Sequence, residues 1–172
     1  MDDIIKKYLK TQFGEIEVPI DSQEKIELAR ALLGSSIVEH LDYWLDYAKD
    51  LVENKETKEP FSRVNEYTRK DKSFRDTFSK LDQATKAEII KLINTTATGI
   101  VFSLLVNFDQ FDFGELILSL KPKSTIKTEI KISSDTAALH DELTQWIFTF
   151  SKFKDELVEQ KILKSGVEYR LT

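Results

Sequence analysis

Three carboxylates, Asp42, Asp46 and Asp50, stand four residues apart in the segment HLDYWLDYAKD, and Tyr43 and Tyr47 run beside them at the same interval. On an α-helix that interval stacks the carboxylates in one row, where like charges four apart cost an isolated helix roughly 0.2–0.5 kcal/mol per pair. Such a row needs an offset: tertiary packing of the apolar residues that share the helix, a basic partner, or a cation. The plainest reading is a broadly buried helix with a solvated acidic edge. The functional alternative is recognition. Aromatic side chains are enriched at interface cores, and acidic groups around them speed encounter with a basic partner and penalise wrong ones. Asp42, Tyr43, Asp46, Tyr47 and Asp50 are therefore the candidate partner-binding residues, and Trp44 is expected nearer the buried stripe.

Other chemistries find less support. His40 and His140 are the only histidines, and neither belongs to an HxxxH or HExxH arrangement. Asp109, Asp112 and Glu115 cluster in NFDQFDFGE, but without the dense Asp/Asn spacing and closing Glu of an EF-hand loop, so no metal site is expected. The five glycines are dispersed, which leaves no loop able to cradle a phosphate through clustered amides, and no GxSxG elbow occurs. These patterns point away from an enzyme and from a resident cofactor.

Composition sets wider bounds. The 172 residues are 41% hydrophobic and 32% charged, which suits one globular domain over 1–172 with a sizeable core. The absence of cysteine excludes disulfides and thiolate chemistry and leans toward the cytoplasm. A net charge of -5 opposes a general nucleic-acid binder, for which a basic footprint is expected. The N-terminus does not resemble a secretory signal. The apolar run Ile100–Phe108 is interrupted by Ser103 and Asn107, and it is about half the roughly 20 residues a bilayer demands. It reads as core helix, and no membrane span is expected.

The elements that must position the acidic row follow from periodicity. Residues 2 to 12 suggest a short helix, and Glu15–Ile20 alternates as a half-buried strand, confined to an edge by Pro19. Asp21 with Glu24 forms a capping-box pattern before a long amphipathic helix through Ile26, Ala29, Leu33, Ile37, Leu41, Trp44, Ala48 and Leu51, with a bend or break expected at Gly34. Residues 53 to 60 suggest a loop. Six basic residues among Arg63–Lys80 outnumber three acidic ones, a basic island that could face solvent or neutralise the aspartate row.

Asp82–Phe108 predicts the central core helix, with Ile89, Ile93, Ala97, Ile100, Leu104 and Phe108 as its buried stripe, widened by Ile90, Val101 and Leu105. Gly99 there predicts either a close helix approach or a break. Residues 115–132 alternate on both sides of Lys121-Pro122-Lys123-Ser124, a β-hairpin pattern, and Val167–Leu171 offers a further strand. Leu139, Leu143, Trp146, Phe150, Phe153 and Leu157 repeat as a heptad seam, for packing inside the chain or for a homodimer.

The expected fold is α+β and predominantly α-helical, a helical body with a small antiparallel sheet at the 115–132 hairpin. The leading functional expectation is a non-enzymatic, cytoplasmic protein-protein interaction module that meets an unknown, basic protein partner. Bacterial immunity proteins share this logic of charge and size, though no motif carries the analogy. The alternative is a small-ligand protein or enzyme with a pocket between helical body and hairpin, lined by Phe111, Phe113, His140 and Trp146.

Overall fold

The computed structural model describes residues 1–9, 16–54, 66–111, 117–121, 129–132 and 138–158. The chain forms helix α1 (Asp2–Tyr8), then α2 (Ser22–Glu53), α3 (Glu66–Phe78) and α4 (Gln83–Asp109). Strands β1 (Ser119–Leu120) and β2 (Ile130–Lys131) follow, then α5 (Leu139–Phe150) and α6 (Lys154–Val158). It is a predominantly helical α+β fold in which α2, α4 and α5 pack on one another. The two strands pair antiparallel with Ser119 opposite Lys131 and Leu120 opposite Ile130. A bond from Ile132 N to Leu118 O, 2.8 Å, continues the pairing. The expected strand near Ile16 is reduced to a single bridge with Leu9, and Val167–Leu171 lies outside the described residues.

Local chemistry explains where α2 starts and stops. The Asp21 carboxylate accepts from Glu24 N at 2.9 Å, satisfying one of the amides that a helix start leaves unpaired. At the far end Asn54 takes a left-handed conformation, φ 55°, which Asn tolerates better than most residues. Between these points the helix runs unbroken through Gly34, which rules out a break there. Gly34 serves packing instead: the indole of Trp146 lies against it and leaves no room for a side chain.

The core gathers Leu41, Leu45, Leu105, Ile130, Ile132, Leu139, Leu143, Trp146 and Leu157 from α2, α4, the hairpin, α5 and α6. Leu139, Leu143, Trp146 and Leu157 of the heptad seam are buried within the chain, with Phe150 and Phe153 partly buried beside them. A buried guanidinium links three elements at its edge: Arg30 of α2 donates from Nε to Ile132 O at 3.1 Å and pairs with Glu142 of α5. The start of α5 is held by Asp109, whose carboxylate accepts from Leu139 N and His140 N, both at 2.9 Å, and contacts His140 Nδ1 at 2.7 Å.

α4 departs most from expectation. Its inward face carries Lys86, Asn94, Thr98 and Leu105, helped by Ile93, Ala97, Val101 and Phe102. Ile100, Leu104 and Phe108, three members of the expected buried stripe, are exposed, and so is Leu92. Among the described residues α4 is the one helix long and apolar enough to cross a membrane, by length and composition alone. Its continuity disposes of a break at Gly99, and among the described residues no helix approaches that glycine, since a Cβ there would meet nothing within 4 Å.

Candidate functional site

The second half of α2 has three differently used sides. One side docks onto the turn between α5 and α6. Asp42, buried, accepts from Ser151 Oγ at 2.6 Å and from Lys152 N at 2.8 Å. One turn later Asp46 pairs with Lys152 Nζ, and Lys49 Nζ pairs with Glu156 at 2.9 Å. The ammonium groups of Lys49 and Lys152 also lie 5.4 and 5.1 Å from the Phe153 ring centre. Spacings of four and three residues place 42, 46 and 49 on one helix face, so the chain's own C-terminal turn meets this part of the row.

A second side meets α3. Tyr47 donates its hydroxyl to Asp71, and Arg75 Nη1 donates to the backbone carbonyl of Asp50 at 3.1 Å. Burial first, and then the bond to Asp71, push the Tyr47 phenol up to about 12. The basic island therefore reaches the row through Arg75, at a carbonyl, while Asp46 takes its counter-charge from Lys152. Arg63 lies outside the described residues, and Arg69 and Lys72 of α3 are exposed.

The third side faces solvent. Tyr43 is 58% exposed and Trp44 60%, the reverse of the inward direction expected for the tryptophan. They are ordered relative to each other: Tyr43 and Trp44 meet edge to face at 5.4 Å and 84°, and Trp44 meets Tyr47 at 5.7 Å and 90°. Because Tyr47 is tied to Asp71, this edge-to-face chain is anchored at one end. Such pairs contribute about 0.5–1.5 kcal/mol beyond their buried area.

Beside Tyr43 opens a cleft of about 510 Å³ lined by Ser35, Glu39, Asp42, Tyr43, Asp46, Phe150 and Lys152. Three carboxylates against one ammonium leave it acidic. Asp42 and Asp46 are engaged by Ser151 and Lys152, whereas Glu39 has no bonded partner among the described residues. Glu39 escaped the sequence reading, although its place three residues before Asp42 and four before Tyr43 continues the same helical row. Lys152 and Phe150 could not be read that way, being more than a hundred positions away. Of the five predicted residues, then, Tyr43 alone is both exposed and in the cleft. Asp42 and Asp46 line it while bound to the α5–α6 turn, and Tyr47 and Asp50 turn to α3.

The residues of the alternative pocket are not gathered around one opening. Trp146 is wholly buried against Gly34, and His140 is bonded to Asp109 and faces the edge of Phe102 at 5.5 Å. Phe111 is exposed, and Phe113 lies outside the described residues. Among the described residues no group of three His, Cys, Asp or Glu side chains is placed to hold a metal ion.

Fold and site together define a helical α+β protein with an acidic cleft beside an exposed aromatic pair. No family model matches the chain, and neither a curated protein nor a solved structure is found similar to it.

Proposed function

We propose that the protein is a non-enzymatic, cytoplasmic interaction module whose Tyr43, Trp44 and Glu39 receive a basic segment of a protein partner. The observation that carries this reading is the pairing of two largely exposed aromatic rings with an acidic cleft that retains an unbonded carboxylate. A lysine or arginine entering the cleft meets Glu39 as counter-ion and passes Tyr43 in its wall, against which the Trp44 ring packs edge to face. Cation–π contact of this kind contributes about 0.5–1 kcal/mol at exposed sites and more when water is displaced. Aromatic and charged groups so combined supply the anchor and the steering of an interface.

The fixed rings limit the ordering cost of binding, since they are already held edge to face in the free chain. Asp42 and Asp46 assist indirectly. They keep the α5–α6 turn, and with it the Phe150 and Lys152 wall of the cleft, against α2.

The test is affinity capture from the native host using wild type, Trp44→Ala and Glu39→Gln as baits. A specific partner should be recovered by wild type, be reduced at least tenfold with either variant, and carry a basic segment protected from proteolysis in the complex. Equal recovery by all three baits would overturn the reading.

A further inference from the structure

The outward stripe of α4 is Leu92, Thr96, Ile100, Leu104 and Phe108, one residue per turn. Leu92 is 64% exposed, Ile100 57%, Leu104 54% and Phe108 38%, and no residue between Lys91 and Asp109 carries a charge. Counting about 150–200 Å² for each large side chain, the stripe leaves on the order of 400 Å² of apolar surface in water. That is the size of the largest apolar patch on a typical monomer, a patch that is often functional. We propose that it is an interface between two copies of this chain, formed by antiparallel packing of α4 on α4 about a two-fold axis at Ile100.

Three features select a second copy as the occupant. The stripe is self-complementary: Leu92 and Phe108 stand eight residues either side of Ile100, and Thr96 and Leu104 four either side. A two-fold antiparallel pair therefore places Leu92 against Phe108, Thr96 against Leu104 and Ile100 against its own mate, the reciprocal matching that an isologous interface requires. Gly99 lies one residue from the axis with nothing within 4 Å of a Cβ built there, so the two backbones can approach closely where they cross.

Charge is the second feature. Each copy carries a net charge of -5, and a stripe without charged side chains brings no like charges into direct contact at the interface. The polar atoms within it make little demand on water, since Asn107 Nδ2 already donates to Ser103 O at 3.0 Å. Area is the third. Two stripes with the small residues between them bury on the order of 1,000 Å² in total, the lower bound of a specific interface, which makes the dimer weak and concentration-dependent. A bilayer suits α4 less well. Its inward face packs against α2 and α5, which carry the Arg30–Glu142 ion pair and the Asp42 carboxylate, and a lipid-crossing helix demands roughly 20 residues with an apolar environment all round.

The full chain has no cysteine, so single cysteines report geometry without ambiguity. Sedimentation of the wild type should show a reversible monomer–dimer equilibrium. Ile100→Glu, which brings two carboxylates together at the axis, should raise the dissociation constant roughly a hundredfold while leaving the helical circular dichroism unchanged. Under mild oxidation, Ile100→Cys should cross-link to itself. Glu88→Cys should not, because antiparallel pairing holds the two copies of that position about 36 Å apart at 1.5 Å per residue. A wild type that stays monomeric at the highest soluble concentration overturns the proposal, whether or not it floats with phosphatidylcholine vesicles. Cross-linking at position 88 in place of 100 overturns the antiparallel arrangement.

Discussion

The indole of Trp146 rests directly on the backbone of Gly34: a Cβ built on the glycine would stand 2.4 Å from Cγ and Cδ2 and 2.5 Å from Cδ1. Trp146 is fully buried, so the contact joins α2 and α5 at the centre of the core. On propensity alone Gly34→Ala should stabilise α2 by about 1 kcal/mol. Overpacking a filled site costs about 1–3 kcal/mol, and three ring atoms crowd this one, so the net effect is destabilisation of up to about 2 kcal/mol. Urea unfolding reads it as a lower midpoint at unchanged slope. Trp146→Phe in the same background should recover part of the loss, and strict additivity of the two substitutions would contradict the contact.

Asp42 closes the α5–α6 turn rather than waiting for a ligand. Asp42→Ala leaves the Lys152 amide and the Ser151 hydroxyl without their acceptor, and an unpaired buried donor costs about 1–3 kcal/mol. The expected loss of stability is of that size, with amide exchange accelerated first at residues 151–157. Asp42→Asn, which retains one acceptor oxygen, should cost less.

Tyr47 sets an alkaline limit on the docking of α3. Burial and the bond to Asp71 raise its folded pKa to about 12, above the ordinary tyrosine value near 10. A raised pKa means that the protonated phenol is favoured in the folded state, so its stabilising contribution is complete below pH about 10 and fades as pH rises through about 12. Ultraviolet titration of the tyrosines should show one late-ionising group, absent in Tyr47→Phe. A wild type whose tyrosines all titrate together near 10 would rule out the internal bond.

Lys152 separates stability from recognition. Its ion pair with Asp46 is substantially solvent-exposed, and pairs of that kind contribute about 0–1 kcal/mol. Lys152→Ala should therefore leave the unfolding midpoint nearly unchanged. It removes the one cation from the cleft, however, and should tighten binding of an oligoarginine peptide, more so at low salt. Trp44 is the exposed member of the two tryptophans, so its emission follows the titration. Binding that weakens or stays constant in Lys152→Ala would argue against a cationic ligand in the cleft.

Periodicity and capping made most of the helical body legible. Asp21 and Glu24 marked the start of α2, Asp82 caps α4 through Thr85 N at 2.9 Å, and the alternation around 115–132 located the β1–β2 pairing. The failures share one cause. An apolar stripe reports only that burial is favourable, not which of two apolar faces wins when a helix has both. α4 turns Ile93, Ala97, Val101 and Leu105 inward and leaves Ile100, Leu104 and Phe108 outside. In α2 the apolar residues divide in the same way, with Leu41 and Leu45 filling the core while Tyr43 and Trp44 are left at the surface.

The sequence by itself determined the local physics: where helices begin, which residues share a face, and that Asp42, Asp46 and the tyrosines lie along one stretch of helix. Only the tertiary structure decided what each of those residues meets. Ser151 and Lys152 engage the aspartates from more than a hundred positions away, and Trp146 explains Gly34 from a similar distance. Neighbours within a few residues are set by the helical repeat, whereas partners so distant are chosen by how the whole core packs. That choice buried Asp42, paired Asp46 with Lys152 at the surface and left Tyr43, Trp44 and Glu39 facing solvent.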